Sequence, residues 1–146
     1  MVLLQIAEPG ATADVHGDRQ IGVGIDLGTT NSLIAHFDGT DLRVLEDESG
    51  QASLPSVVYY GAKGTVVGTA AETYSSSEPT NTIASAKRML GRARAEFEDD
   101  PYVALAEGEG LAFNTDAGSK TPVEVSSAIL NELKLRAEPQ LTGLIA

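Results

Sequence analysis

A single carboxylate precedes a turn of small residues between positions 22 and 31. Glycines at positions 22, 24 and 28 alternate with aliphatic residues, so one face of the predicted strand carries no side chain except that of Asp26. The turn Gly28-Thr29-Thr30-Asn31 offers successive N–H groups and hydroxyls that can bind phosphate oxygens. A carboxylate would repel bare phosphate, but a hydrated Mg²⁺ between the two groups removes that repulsion. The pattern therefore predicts a Mg²⁺–nucleotide site on a hairpin.

Other interpretations of this stretch are an ordinary hairpin or a different phosphate motif. A tight hairpin whose Asp26 faces water fits the local pattern equally well, because short motifs often occur by chance. The dinucleotide fingerprint is excluded, because the glycines have the wrong spacing and lie inside a strand rather than before a helix. A P-loop is excluded, because the sequence contains no Gly-x-x-x-x-Gly-Lys followed by Ser or Thr.

A basic cluster at 87–94 is the second candidate for a role in chemistry. It holds four of the ten basic residues of an acidic chain within eight positions. Lys87 follows the apolar Ile83 by four residues, so the two would share one face of a helix. The Lys87 side chain either extends into water, the commoner arrangement for lysine, or turns toward a negatively charged ligand. A phosphate site elsewhere in the chain favours the second arrangement.

Short strands joined by tight turns are expected to position the carboxylate and the turn. Alternating apolar residues predict a strand over 21–28, and two further strands follow at 32–37 and 42–45. A fourth strand is predicted over 54–60, with Pro55 near its start, where no ladder donor is needed. One or two helical turns are predicted at 69–75.

Helices and further strands are predicted in the second half of the chain. A helix over 82–90 would carry Lys87 and end at Gly91, and an acidic helix over 93–100 would follow. Strands are expected at 102–106, 111–115 and 121–125. The last helix is predicted to begin at Ser126 or Ser127, both good N-caps, and to end at Pro139. Residues 142–146 have the pattern of a strand that continues further, so the chain is expected to be unfinished.

The composition is that of an acidic chain with enough apolar residues to fold. The 146 residues include 10 Lys or Arg and 21 Asp or Glu, a formal charge of −11, and 42% are hydrophobic. This acidity argues against nucleic acid or an anionic membrane as a partner, because like charges repel. No apolar run reaches the roughly 20 residues of a membrane helix. The absence of cysteine excludes disulfides and Cys-ligated clusters.

Residues 1–20 are predicted to form a loose arm without a signal peptide, so a cytoplasmic location is expected.

Several motifs, taken in order along the chain, resemble one protein family. The stretch Gly24-Ile25-Asp26-Leu27-Gly28-Thr29-Thr30-Asn31-Ser32 resembles the first phosphate motif of the heat shock protein 70 (DnaK-type) chaperones. Four later landmarks keep the family's order: Leu54-Pro55-Ser56-Val57-Val58, Val67-Gly68, Asn81-Thr82-Ile83 and Lys87-Arg88-Met89-Leu90-Gly91-Arg92. The phosphate motif is shared with actin-like proteins and sugar kinases, whereas the landmarks at 54–58 and 87–92 are typical of the chaperones. Residues 1–10 resemble a narrower branch, HscA, the chaperone of bacterial iron–sulfur cluster assembly.

The resemblance implies a fold and a set of site residues. The fold is α/β with a mixed sheet, the first lobe of an actin-like, ribonuclease H-like ATPase domain over residues 21–146, which binds ATP or ADP. Asp26 would hold Mg²⁺ through water, and the turn Gly28, Thr29, Thr30 and Asn31 would contact the phosphates, with Thr29 nearest the γ-phosphate. Lys87 matches the lysine that the family needs for hydrolysis, so the implied catalytic residues are Lys87, Asp26 and Thr29.

The resemblance also implies that this lobe is incomplete. The family's second phosphate loop, nucleoside pocket, remaining metal-site acids and peptide-binding domain have no counterpart in the sequence. The chain alone is therefore expected to bind nucleotide poorly, to hydrolyse little and to expose an apolar face of its sheet.

The implied function is that of the amino-terminal part of a bacterial, cytoplasmic, ATP-driven chaperone. Its ATP hydrolysis, stimulated by a J-domain co-chaperone, would switch affinity for an apolar peptide on the iron–sulfur cluster scaffold protein. One alternative is a sugar kinase of the same superfamily, which would transfer the γ-phosphate to a hydroxyl. The other is a non-catalytic interaction module that uses exposed strands of 54–125 and whose binding does not depend on nucleotide.

Overall fold

A computed structural model describes residues 20–92, 94–97, 104–105, 110–141 and 144–145. Its strands are β1 (Gln20–Ile21), β2 (Val23–Asp26), β3 (Asn31–Phe37), β4 (Leu42–Val44), β5 (Leu54–Pro55), β6 (Val57–Gly61), β7 (Gly64–Val67), β8 (Thr82–Ala84), β9 (Ala104–Leu105), β10 (Leu111–Thr115), β11 (Gly118–Lys120) and β12 (Leu144–Ile145). Its α-helices are α1 (Thr69–Glu72) and α2 (Pro122–Ala137), and 3₁₀ helices occur at Pro79–Asn81, Ala86–Met89, Arg94–Phe97 and Glu138–Gln140. The predicted α/β class is confirmed. Residues 1–19 of the predicted arm lie outside the described residues.

The predicted hairpin of β2 and β3 belongs to an antiparallel sheet in which β3 is the central strand. β3 pairs with β2 on one side and β4 on the other, and its first residues also pair with β5. The predicted first strand is divided at Gly22 into β1 and β2. β1 pairs in parallel with β12, with Ile21 opposite Ile145. The strand predicted at 142–146 is therefore confirmed over its described residues.

A second antiparallel sheet carries the landmark residues after position 56. β6 lies between β7 and β8, with Val58 opposite Val67 on one side and opposite Ile83 on the other. The strand predicted over 54–60 is divided at Ser56 into β5 and β6. A third sheet places β10 between β9 and β11, which confirms the strand predicted at 111–115.

The helix predicted over 82–90 is wrong. Thr82–Ala84 is a strand, and only Ala86–Met89 is helical, as a short 3₁₀ helix. The reason is long-range pairing, because Thr82 and Ile83 pair with β6 and this pairing buries Ile83 in the core. Both residues are β-branched, which also favours a strand. Gly91 follows the short helix with φ +70°, the left-handed conformation predicted for it. The acidic helix predicted over 93–100 is described only at Arg94–Phe97, as a 3₁₀ helix.

The predicted start of the last helix is also wrong, and so is the strand at 121–125. α2 begins at Pro122, and Thr121 is its N-cap. Thr121 and Glu124 form a capping box: the Thr121 hydroxyl accepts from the Glu124 N–H at 3.2 Å, and the Glu124 carboxylate accepts from the Thr121 N–H at 2.7 Å. This hydrogen bond from the Thr121 N–H is the main cause that lowers the pKa of the Glu124 carboxyl. Ser126 lies inside the helix and donates to the Pro122 carbonyl oxygen at 2.8 Å.

The hydrophobic core connects the hairpin to both later sheets and to α2. Its fully buried members include Ile34 of β3, Val58 of β6, and Val125 and Leu133 of α2. Each contributes about 1.5–3 kcal/mol by leaving water, so the core fixes the hairpin against the helix. None of the helices formed by the described residues is long and apolar enough to cross a membrane.

One face of the hairpin sheet is apolar and open to water. Phe37, Leu42 and Val44 are 57%, 73% and 41% exposed. The register places them on the side of the sheet that also bears Gly24 and Asp26. The exposed apolar sheet face expected from the sequence is therefore confirmed.

Gly68 joins two of the landmark segments, and replacing it by alanine is expected to destabilise the chain. Its φ is +79°, its N–H donates to the Val57 carbonyl oxygen at 2.9 Å, and a Cβ would collide with the Leu54 side chain. Gly68→Ala is expected to lower the free energy of unfolding by about 2 kcal/mol, through backbone strain and overpacking, measured by urea denaturation. Gly64→Ala is the matched control, because Gly64 also has positive φ but a Cβ there meets nothing within 4 Å. Equal losses in the two variants would contradict the role assigned to the Leu54 contact.

Candidate nucleotide site

Asp26 is the last residue of β2 and stands exposed on the face of the sheet where β2 itself carries Gly24. In the register it lies opposite Leu33, and Gly24 lies opposite Ala35 on the same face. A Cβ built at Gly22 or Gly24 meets nothing within 4 Å. The open space predicted beside the carboxylate is therefore present at Gly22 and Gly24.

The turn after Asp26 is tightly closed. A Cβ at Gly28 would collide with the carbonyl oxygen of Asn31, so only glycine fits this position. Thr29 is half-buried, whereas Thr30 and Asn31 are exposed. Among the described residues, none accepts a hydrogen bond from the N–H groups of Thr29 and Thr30. The turn thus has two backbone donors without an acceptor among the described residues, and such donors are available to an anion.

Ser32 and Ser56 lie behind this turn, and the interpretation of the sequence gave them no role. Ser32 accepts a hydrogen bond from the Gly28 N–H at 3.2 Å, and Ser56 donates to the Gly28 carbonyl oxygen at 2.9 Å. The Ser56 N–H also donates to the Thr30 carbonyl oxygen at 2.8 Å. The available signal was their position, since Ser32 ends the phosphate motif and Ser56 lies within the landmark Leu54-Pro55-Ser56-Val57-Val58.

Lys87 lies in the 3₁₀ helix Ala86–Met89, and its side chain is exposed. Ala86 anchors this helix in the core, at 1% exposure. Ser85, just before it, has φ 58° and ψ 28°, a left-handed conformation that is unusual for a residue other than glycine. This turn ends β8 and directs the chain into the short helix.

The sheet register brings the Lys87 segment to the same end of β6 as the phosphate turn. Ala84 lies opposite Val57, the residue after Ser56, and Ser56 holds Thr30. Within the part of the chain that the structure describes, no hydrogen bond or ion pair joins Lys87 to Asp26 or to residues 28–31. The fold thus places the candidate residues on neighbouring segments without direct contact.

The histidine and acidic side chains do not form a second site in the described residues. His36 Nδ1 lies 3.0 Å from the Gly22 carbonyl oxygen, a structural contact between β3 and the residue before β2. No group of three His, Cys, Asp or Glu side chains within the described ranges could hold a metal ion.

Comparison with known proteins decides the family. A family profile described as Hsp70 protein matches residues 22–146. The chain belongs to the Hsp70 family. It is similar to proteins named chaperone protein HscA homolog: 46% identical over 147 residues to that of Acinetobacter baylyi, 50% over 147 to that of Methylobacillus flagellatus, and 48% over 148 to that of Shewanella amazonensis. These alignments cover 98–99% of the chain and 24% of each relative, so the chain spans about a quarter of the length of the curated relatives it matches.

The family assignment confirms the resemblance to Hsp70 and its HscA branch, and the actin-like α/β lobe that it implies. The landmark segments meet in the fold of this Hsp70 chain: Gly68 packs against Leu54, and Ser56 holds the phosphate turn. The sugar-kinase and interaction-module alternatives receive no support from these relatives.

Proposed function

We propose that residues 21–146 form the first lobe of the nucleotide-binding domain of an ATP-dependent chaperone, preceded by an arm at 1–20. The observation that carries the proposal is the open glycine face, which adjoins a turn whose Thr29 and Thr30 N–H groups have no acceptor among the described residues. Such a face leaves room for phosphates, and the N–H groups supply their donors. Membership of the Hsp70 family supports nucleotide as the ligand.

Asp26 is assigned to Mg²⁺, and the turn that follows it is assigned to the phosphates. The exposed carboxylate of Asp26 faces open space and fits a hydrated Mg²⁺, which prefers oxygen ligands and keeps several waters. Gly28, Thr29, Thr30 and Asn31 contact the phosphates, with Thr29 nearest the γ-phosphate. When bound, Mg²⁺ supplies positive charge that neutralises the phosphate oxygens.

Lys87 is the proposed catalytic residue for the hydrolysis of ATP. Its 3₁₀ helix is anchored by Ala86, so the exposed ammonium group belongs to a segment of fixed position. It orients the attacking water and balances the charge that develops as the bond to the leaving phosphate breaks. Binding and catalysis are therefore assigned to different segments.

The whole protein is proposed to act as a bacterial, cytoplasmic chaperone in iron–sulfur cluster assembly. Its client is the cluster scaffold protein, and a J-domain co-chaperone stimulates its ATP hydrolysis. This assignment is supported by the similarity to bacterial proteins named as HscA chaperone homologs. The 146-residue chain alone is expected to be nearly inactive, because both lobes are needed to stabilise the transition state.

The test uses a full-length chimera, in which this chain replaces the matching quarter of the Methylobacillus flagellatus HscA homolog. We expect the chimera to bind ATP with Mg²⁺ in calorimetric titration. We expect Asp26→Asn to weaken that binding by about tenfold or more, because a hydrated metal loses its carboxylate partner. With EDTA present, the unchanged protein is expected to bind ATP no more tightly than the variant, because without Mg²⁺ the Asp26 carboxylate repels bare phosphate.

Asp41→Asn is the control, because Asp41 is an exposed carboxylate in the loop between β3 and β4. Failure of the unchanged chimera to bind ATP would overturn the proposed function. Equal Mg²⁺-dependent affinities of the Asp26 and Asp41 variants would overturn the role of Asp26. ATP turnover that requires an added polyol would support the sugar-kinase alternative instead.

A further inference from the structure

Two buried serine hydroxyls lie directly behind the phosphate turn. Ser32 is 1% exposed and Ser56 is 2% exposed. Their Oγ atoms are 2.9 Å apart, and each also bonds to Gly28: Ser32 to its N–H at 3.2 Å and Ser56 to its carbonyl oxygen at 2.9 Å. Ser32 lies in β3, and Ser56 lies 24 residues later in the sequence, between β5 and β6.

The direction of each bond follows from counting hydroxyl protons. Ser56 has one hydroxyl proton, and it is donated to the Gly28 carbonyl oxygen. The proton between the two serines must therefore come from Ser32, which in turn accepts from the Gly28 N–H. The result is a closed cycle that runs from Gly28 to Ser32, to Ser56 and back to Gly28. Bonds that run in one direction in a site shielded from water reinforce one another.

The cycle determines where the backbone donors of the turn point. The Gly28 carbonyl belongs to the same planar trans peptide as the Thr29 N–H, and the two groups point in opposite directions. Because Ser56 holds the carbonyl on the buried side, the Thr29 N–H is directed away from Ser56. The Ser56 N–H holds the Thr30 carbonyl in the same way, so the Asn31 N–H also points away from Ser56.

We propose that Ser32 and Ser56 are positioning residues that hold the turn in its phosphate-binding conformation. They touch no ligand and act through the peptide groups of Gly28 and Thr30. The inference rests on the proposed function, since it assigns these residues to the same nucleotide site. A preformed turn loses less conformational freedom when it binds phosphate, so breaking the cycle weakens binding rather than removing a contact.

The test measures the dissociation constant of Mg·ATP for Ser32→Ala, Ser56→Ala and the double variant of the full-length chimera. Each single change leaves one group of Gly28 without its partner, and we expect it to raise the constant about tenfold. The double variant is expected to fall well short of the roughly hundredfold product, because both hydroxyls belong to one cycle.

Ser126→Ala is the matched control. Ser126 is also buried, at 6% exposure, and donates to a backbone carbonyl, that of Pro122, within α2. It is expected to lower stability in urea denaturation by an amount similar to Ser56→Ala, but to leave the dissociation constant unchanged. Its effect on stability should add to that of Ser56→Ala, because the two hydroxyls share no partner.

Ser56→Cys is the second variant, for the case in which Ser56→Ala does not fold. Its thiol is a weaker donor of similar shape, and we expect an affinity between those of the serine and alanine proteins. If the unchanged chimera binds Mg·ATP and either Ser56 variant that folds binds it equally well, the inference is overturned and the proposed function stands. If the unchanged chimera does not bind, the proposed function falls and this inference with it.

Discussion

Lys87→Ala in the full-length chimera is expected to lower ATP turnover by about a hundredfold or more and to leave the affinity for Mg·ATP within about threefold. The large effect is expected because a positioned cation acts on charge that appears only as the phosphate bond breaks. The small effect on binding is expected because Lys87 lies in the 3₁₀ helix Ala86–Met89, outside the turn that binds phosphate. Single-turnover hydrolysis and calorimetric titration separate the two quantities.

Two further variants sharpen this test. Lys63→Ala removes an exposed lysine between β6 and β7, and both turnover and affinity should be unchanged. Lys87→Arg keeps the charge but replaces a compact ammonium group with a planar fork, so it should restore only part of the turnover. Parental turnover in Lys87→Ala would show that the catalytic cation is another residue.

The hairpin could be predicted from sequence because its signals are local. Alternating glycine and aliphatic residues before Asp26 indicate a strand, and the small residues after it indicate a tight turn. The structure places β2, the turn and β3 where these signals predict. Gly22 and Gly24 also predicted the open face, and a Cβ at either position meets nothing within 4 Å. At Gly28 the prediction of open space is wrong, because the carbonyl oxygen of Asn31 fills that place.

The segment that carries Lys87 could not be predicted in this way. Its helical spacing is a local signal, but pairing with β6 holds Thr82–Ala84 as a strand. That pairing places Ile83 opposite Val58, which lies 25 positions earlier. A local sequence pattern cannot predict a contact over this separation. The start of α2 is a different case, since the capping box of Thr121 and Glu124 is a local pattern that the sequence itself carries.

The hydrogen-bonded cycle of Gly28, Ser32 and Ser56 could not be predicted either, because it depends on a long-range contact. The residues that would contact phosphate are consecutive, so one motif identifies them. Ser56 lies between β5 and β6, 28 positions after the glycine it holds. Only the fold shows that this hydroxyl reaches Gly28, and that the turn depends on a residue outside its own motif.

Gly24→Val in the full-length chimera is the most direct test that the open face is the ligand site. A Cβ at Gly24 meets nothing within 4 Å, so the chain itself has room for the side chain. Valine also favours a strand more than glycine does, so the free energy of unfolding is not expected to fall. A nucleotide on this face would collide with the new methyl groups, and we expect its affinity to drop by about a hundredfold or more.

Ile25→Val is the control that makes this result decisive. Ile25 is the next residue of β2 and faces the opposite side of the sheet, where it is 40% exposed. Its replacement removes one methylene without adding anything to the glycine face, so the affinity for Mg·ATP should be unchanged. Urea denaturation of both variants shows whether either change disturbs the fold. A Gly24→Val protein of normal stability that still binds Mg·ATP at parental affinity would place the nucleotide elsewhere, because no bound phosphate could share that space with a valine.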